Sequence, residues 1–349
     1  MGVDGFLERL GIRHPVVLAP MAGGPSTPEL AAAVSNAGGF GSLAAAYLAP
    51  DEITEAVRRT RALTDRPFSI NLFAGGGEER AVDPGPMLAI LSEIHKELGL
   101  PPPVAPTPRK DPFPDGFQAV LEARPAVFSF AFGIPDRQRI SSLRARGIAI
   151  LGTATTIDEG RLWVEAGADA IVAQGAEAGA HRGTFAVPFE DAMVPTIELV
   201  RGIASFAPVI ASGGIMDGRD LSFMLENGAI AAQLGTAFLR CPESGASAPY
   251  KRAIELASSD TTVITRAYSG RPARGLLNTF IKKVSGKEDM ILPYPVQNAL
   301  TRTMRLASAA QGNPEFLSLW AGQGVARSRE LPAGELVATL MKEAPARLR

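Results

Sequence analysis

Short apolar runs alternate along the chain with longer segments whose apolar positions recur every three to four residues. The runs are VVLAP (16–20), FGSLAAA (40–46), FSINL (68–72), AVFSFAF (126–132), AILGTAT (149–155), AIVAQG (170–175), PVIASG (208–213) and AAQLGTAF (231–238), eight strands by this reading. The helix-periodic segments between them include TPELAAAVSNAG, PDEITEAVRRTRALT, DRQRISSLRARG, TIDEGRLWVEAG and DGRDLSFMLENG. Thr27 is placed to cap the first of these, which closes on Gly38, and glycine directly before an apolar run is the expected C-cap of a helix that hands over to a strand. Strand–helix alternation of this kind predicts βα units and a parallel sheet, and eight of them over about 250 residues are what a (β/α)₈ TIM barrel requires. An open doubly wound sheet is the second choice.

Two stretches break the rhythm. PPPVAPTPRKDPFPDG (101–116) carries too much proline for a helix and predicts an extended excursion, part of an insertion after strand three spanning about 75–118. Beyond residue 260 the βα pattern stops, and helical periodicity near PVQNALTRTMRLASAAQG and ELVATLMKEA predicts a mainly helical C-terminal region that the insertion joins as a lid. The division expected is therefore a barrel over 1–260 and a substrate-side helical region over 261–349.

Charge removes some partners from consideration. The 35 basic and 36 acidic residues nearly cancel and form no like-charged run, so nucleic acid and membrane surfaces are not expected and small molecules are. No apolar window is long enough to span a bilayer, and MGVDGFLERLGIRHP lacks the apolar run of a signal peptide, which fits a cytoplasmic protein. The single cysteine, Cys241, allows no internal disulfide and reads as a small buried residue. Oligomeric state is open, a homodimer being one arrangement the sequence permits.

In a barrel the chemistry sits just after the strands. There the chain places PMAGG (20–24), Asn71, AQGAEAGAH (173–181), SGGIMDGR (212–219) and QLGT (233–236). Glycines after the last two strands let backbone N–H groups approach an anion, making Gly213, Gly214, Gly235 and Thr236 phosphate candidates. The alternative, that these glycines only close turns, stays open. Neither dinucleotide-fold nor P-loop spacing is present, so a flavin mononucleotide laid across the strand ends is the cofactor this pattern favours, with the amides of Asn71 and Gln174 at its ring. Of three histidines, His14 lies before strand one and His95 in a charged helix, whereas His181 follows strand six among glycines, where an imidazole can exchange a proton or pair with an anion. No histidine and carboxylate spacing points to a metal.

These motifs, in this order, resemble the nitronate monooxygenases, flavin enzymes once called 2-nitropropane dioxygenases. The resemblance runs from APMAGG through RPFSINLF, AGADAIVAQGAEAGAHRGTF and ASGGIMDGR to QLGTAFLRCPES, SGRPARGL and WAGQG. It implies an FMN-containing barrel that oxidises alkyl nitronates of the propionate 3-nitronate type with O₂ to a carbonyl compound and nitrite or nitrate. It assigns FMN contacts to Met21, Asn71, Gln174, Gly179, Gly214, Gln233, Gly235 and Thr236, and the active-site histidine to His181. A protonated His181 would anchor the nitronate and a neutral one would deprotonate a nitroalkane; anchoring is the expectation. Two positions depart from the family pattern: Ala180, where relatives carry glycine in EAGGH, and Ala131, where many carry histidine in SFHFG. Tyr294 reads either as a pocket wall or as a packing residue. Rival readings are an enoyl reductase or an NAD(P)H:quinone reductase on the same barrel, and a flavin-binding module without turnover.

Overall fold

The computed structural model describes residues 5–75, 82–106, 111–258 and 261–344. Its centre is a sheet of eight parallel strands: β1 (Val16–Leu18), β2 (Gly41–Ala44), β3 (Phe68–Phe73), β4 (Val127–Ala131), β5 (Ala149–Ala154), β6 (Ala170–Gln174), β8 (Val209–Ser212) and β9 (Ala231–Leu234). Strand β7 (Ala180–His181) lies outside it. The sheet runs β1-β9-β8-β6-β5-β4-β3-β2, and a parallel bridge between Val17 and Phe40 joins its two ends, so the barrel closes. All eight expected strands are present. The last is shorter than expected because Gly235 leaves the extended region and residues Thr236–Phe238 form a 3₁₀ turn instead.

Alternation sorts the strand side chains. Val16, Leu18, Ile70, Phe128, Phe130 and Ile171 pack outward against the helices, while Val17, Val127, Leu151, Val172 and Ile210 fill the barrel. The short helix Gly5–Arg9 sets Phe6 against this interior cluster, at the end away from the strand C-termini. The helices begin as the sequence indicates: Thr27, Asp136, Thr156 and Asp217 each accept a backbone N–H of the first turn.

The final helix, Ala333–Glu343, takes the outer position after β9. It buries Leu336, Val337, Leu340 and Met341 in the core that contains β1, and Glu343 accepts the Gly218 N–H at 2.9 Å. Residues on both sides of position 260 thus share one core. The mainly helical C-terminal region also holds two strands, β10 (Thr262–Thr265) and β11 (Ala273–Leu276), which form a three-stranded antiparallel sheet with β7. A second core joins it to the insertion: Met87, Leu91 and Ile94 of the helix Gly85–Glu97 meet Tyr268, Phe280, Met304 and Phe316. The end of the proline-rich stretch corrects the expectation of an extended chain. A helix, Phe113–Ala123, starts inside it, with Pro114 in the first turn where a missing N–H costs nothing. Residues 107–110 of that stretch lie outside the described part. No helix among the described residues is long and apolar enough to cross a membrane.

Candidate active site

The strand ends gather two groups of residues. At the β8 and β9 end, Gly213 and Gly214 adopt φ of +130° and +74°, the region that disfavours side chains. Protein neighbours also require Gly213: a Cβ there would lie 2.8 Å from Thr196 Oγ1. Across from them Met21 sits beside Gly235, its sulfur 3.6 Å from where a Cβ would be. Gln233 lies on β9 level with Val17 and Ser212. Gly179 packs on Ala321 and Gly322, whose atoms a Cβ would approach to 2.6 Å, and the Gly322 N–H donates to Thr236 Oγ1 at 3.0 Å. Among the described residues the backbone N–H groups of Gly214, Gly235 and Thr236 donate to no acceptor. Three donors of this kind at adjacent strand ends are what a phosphate oxygen needs, and on that observation the residues present fit a flavin phosphate.

Asn71 and Gln174 differ from each other. Asn71 is buried in the barrel, its amide nitrogen donating to Ser129 Oγ at 3.0 Å and Ser129 O at 3.2 Å. Gln174 clamps the loop that follows β6: its nitrogen donates to the His181 carbonyl at 2.9 Å and its oxygen accepts the Gly183 N–H at 2.7 Å. The loop has further anchors. Arg182, fully buried, donates to the carbonyls of Gly175, Gln174 and Ala192. Glu159, also buried, accepts the N–H groups of Thr155, Phe185 and Ala186. Together they hold His181 over the strand ends as part of β7.

Four rings surround the His181 imidazole: Trp320 at 5.5 Å, Phe132 at 5.8 Å, Tyr294 at 6.2 Å and Phe73 at 6.4 Å between centroids. Tyr294 is therefore a wall of this cage. Ala131 is the last residue of β4 and immediately precedes Phe132, which is held at φ +72°. Ala180 is held at φ +62°, so the chain places alanine where a glycine would be unstrained. Ser269 Oγ lies 2.8 Å from His181 Nε2 and also donates to the Arg271 carbonyl. The Arg271 guanidinium stacks on Phe132, 3.9 Å from its centroid. Burial, then the positive charges of Arg271 and Arg305, lower the His181 pKa from 6.5 to about 3. With no anion beside it the imidazole favours its neutral form.

Sequence reasoning missed Phe73, Phe132, Ser269, Arg271, Arg305 and Trp320. SGRPARGL and WAGQG contain three of these, Ser269, Arg271 and Trp320, but the motifs give the side chains no place. The remaining histidines stand elsewhere, His14 before β1 and His95 bonded through Nδ1 to the Pro101 carbonyl. Cys241 is buried, which pushes its thiol up to about 12, so it offers no nucleophile. No cluster of three metal-ligating side chains occurs among the described residues.

A closed (β/α)₈ barrel with open backbone N–H groups after its last two strands and a histidine in an aromatic cage fits the frame of a flavin-dependent oxidoreductase. The nitronate monooxygenase family model matches residues 6–343, and the chain belongs to that family. It is 45% identical to a nitronate monooxygenase of Pseudomonas aeruginosa, over 97% of this chain and 99% of the relative. The structure of a nitroalkane oxidase from Streptomyces ansochromogenes is similar at a TM-score of 0.91 and 41% identity, covering 98% of each chain. FabK from Thermotoga maritima is similar at a TM-score of 0.76 and 30% identity, covering 97% of this chain and 94% of that one.

Proposed function

We propose that the protein uses FMN to oxidise alkyl nitronates with O₂, giving a carbonyl compound and nitrite or nitrate, and that His181 is its active-site base. The observation that carries this reading is the neutral imidazole caged by four rings and flanked by two arginines at the strand ends. In this assignment the FMN phosphate is held by Gly213, Gly214, Gly235 and Thr236, and the ring is bordered by Met21, Asn71, Gln174, Gly179 and Gln233. Bound FMN supplies the electron-accepting ring and the route from substrate electrons to O₂.

The chain's own groups divide the remaining work. In the tautomer that carries the imidazole hydrogen on Nε2, the Ser269 hydroxyl accepts from the ring and donates to the Arg271 carbonyl, and the Nδ1 lone pair is the base. Nδ1 makes no hydrogen bond among the described residues. A neutral nitroalkane can therefore give its α-proton to Nδ1, while a nitronate needs no proton removed and is drawn by the positive field of Arg271 and Arg305. The aromatic walls, including Tyr294 and Phe132 after Ala131, exclude water from the reacting carbon and strengthen that field.

Oxygen uptake driven by nitroethane, the neutral nitroalkane whose α-proton must be removed, tests the reading. Uptake by the FMN-loaded protein is expected, with its loss in His181→Asn at unchanged FMN content. Full uptake by that variant removes His181 from the mechanism.

A further inference from the structure

Beside the His181 cage lies a cavity of about 440 Å³ that none of the residues assigned to flavin lines. Phe132 and the guanidinium stacked on it form the partition between the two spaces. Its lining includes Arg182, Arg266 and Arg271 together with Phe185, Phe189 and Glu190, of which Phe185 is held by its N–H bond to Glu159. Three guanidiniums against one carboxylate make the lining cationic. Arg182 is 1% exposed and its Nε has no hydrogen-bond partner, so the lining also holds a buried donor that the protein leaves unsatisfied. The volume falls within the range of small-molecule sites, about 300–1,000 Å³, which is more than a small nitronate requires.

We propose that this cavity is a second binding site, for an organic carboxylate with an apolar body. The carboxylate lies against Arg266 and Arg271, whose guanidiniums attract it by charge; Arg271 keeps its Nε and Nη2 bonds to the carbonyls of Arg182 and Thr184. The body lies between Phe185 and Phe189. Because the site shares Phe132 and Arg271 with the cage, its occupant bears on the wall of the cage without entering it. The proposal does not depend on which substrate the cage oxidises.

Titration calorimetry on the FMN-loaded protein with 4-phenylbutyrate tests it, with 4-phenylbutanol as the uncharged counterpart and inorganic phosphate as the bare anion. Saturable binding of phenylbutyrate is expected, with the alcohol and phosphate at least tenfold weaker. Arg266→Gln weakens phenylbutyrate at least tenfold and leaves ethyl nitronate turnover within twofold, whereas Glu190→Gln tightens it. Opposite responses of the two variants are a signature that loss of folding does not produce. Equal binding of the alcohol, or an affinity unmoved by both substitutions, overturns the proposal.

Discussion

The flavin end of the site and the histidine end are built in different ways. Gly213, Gly214, Gly235 and Thr236 come directly after β8 and β9, so two short motifs and the barrel topology suffice to bring them together. His181 is held by pieces from far along the chain: β11 pairs with it, Ser269 bonds it, and Trp320 and Tyr294 wall it. In the proposed assignment, cofactor recognition is a property of the strand ends. The reactive group's orientation and charge come from what the C-terminal region adds.

The largest effect that separates the two ends is His181→Asn, which should lower nitroethane turnover by about 10²–10⁴-fold, the range for loss of an acid–base group, while FMN stays bound. Turnover assays alongside flavin absorbance decide it. At the other end Gly179→Ala forces a Cβ to 2.6 Å from the backbone at Ala321. It should destabilise the protein by about 1–3 kcal/mol, as overpacking does, with FMN retention and thermal unfolding as readouts.

Ser269→Ala leaves the flavin end untouched and frees Nε2. A tenfold fall in kcat for nitroethane is expected from about 1.4 kcal/mol lost at the transition state, with a smaller fall for ethyl nitronate, which needs no proton removed. Acid titration bears on the same ring. Its pKa is about 3 in the fold against 6.5 ordinarily, so between those values the unfolded chain binds the proton and the folded chain does not. This group's contribution to stability is complete above pH 6.5 and is lost as pH falls toward 3. His181→Asn should therefore unfold at lower pH than the parent in an acid-denaturation series. The smallest effect is Ala180→Gly: relief of a left-handed alanine, about 1–2 kcal/mol, is partly offset by glycine's greater freedom in the unfolded chain, leaving a gain of about 1 kcal/mol or less in denaturant unfolding.

The same contrast explains what the sequence disclosed. Eight apolar runs with helices between them specify a barrel because strand and helix periods are local properties, and caps such as Thr27 and Asp217 mark where helices begin. His181, Gln174 and the glycines were legible because they follow strands. Phe132 and Arg271 were not: one is read as part of an apolar run until its backbone turns to φ +72°, and the other is an arginine among 35 basic residues until β11 brings its loop to the cage. The low pKa of His181 was not legible for the same reason, since burial in a cage built from distant segments lowers it most and the arginines that add to this are 90 and 124 positions away. Even Ala180 was noticed as an unusual letter, but only the structure shows it at a conformation that its methyl group strains.

The most direct test of the central claim is anaerobic mixing of the FMN-loaded protein with ethyl nitronate and, separately, with NADH, following the flavin absorbance. The account predicts rapid bleaching by the nitronate and slow or no bleaching by NADH; rapid bleaching by NADH with none by the nitronate would contradict it.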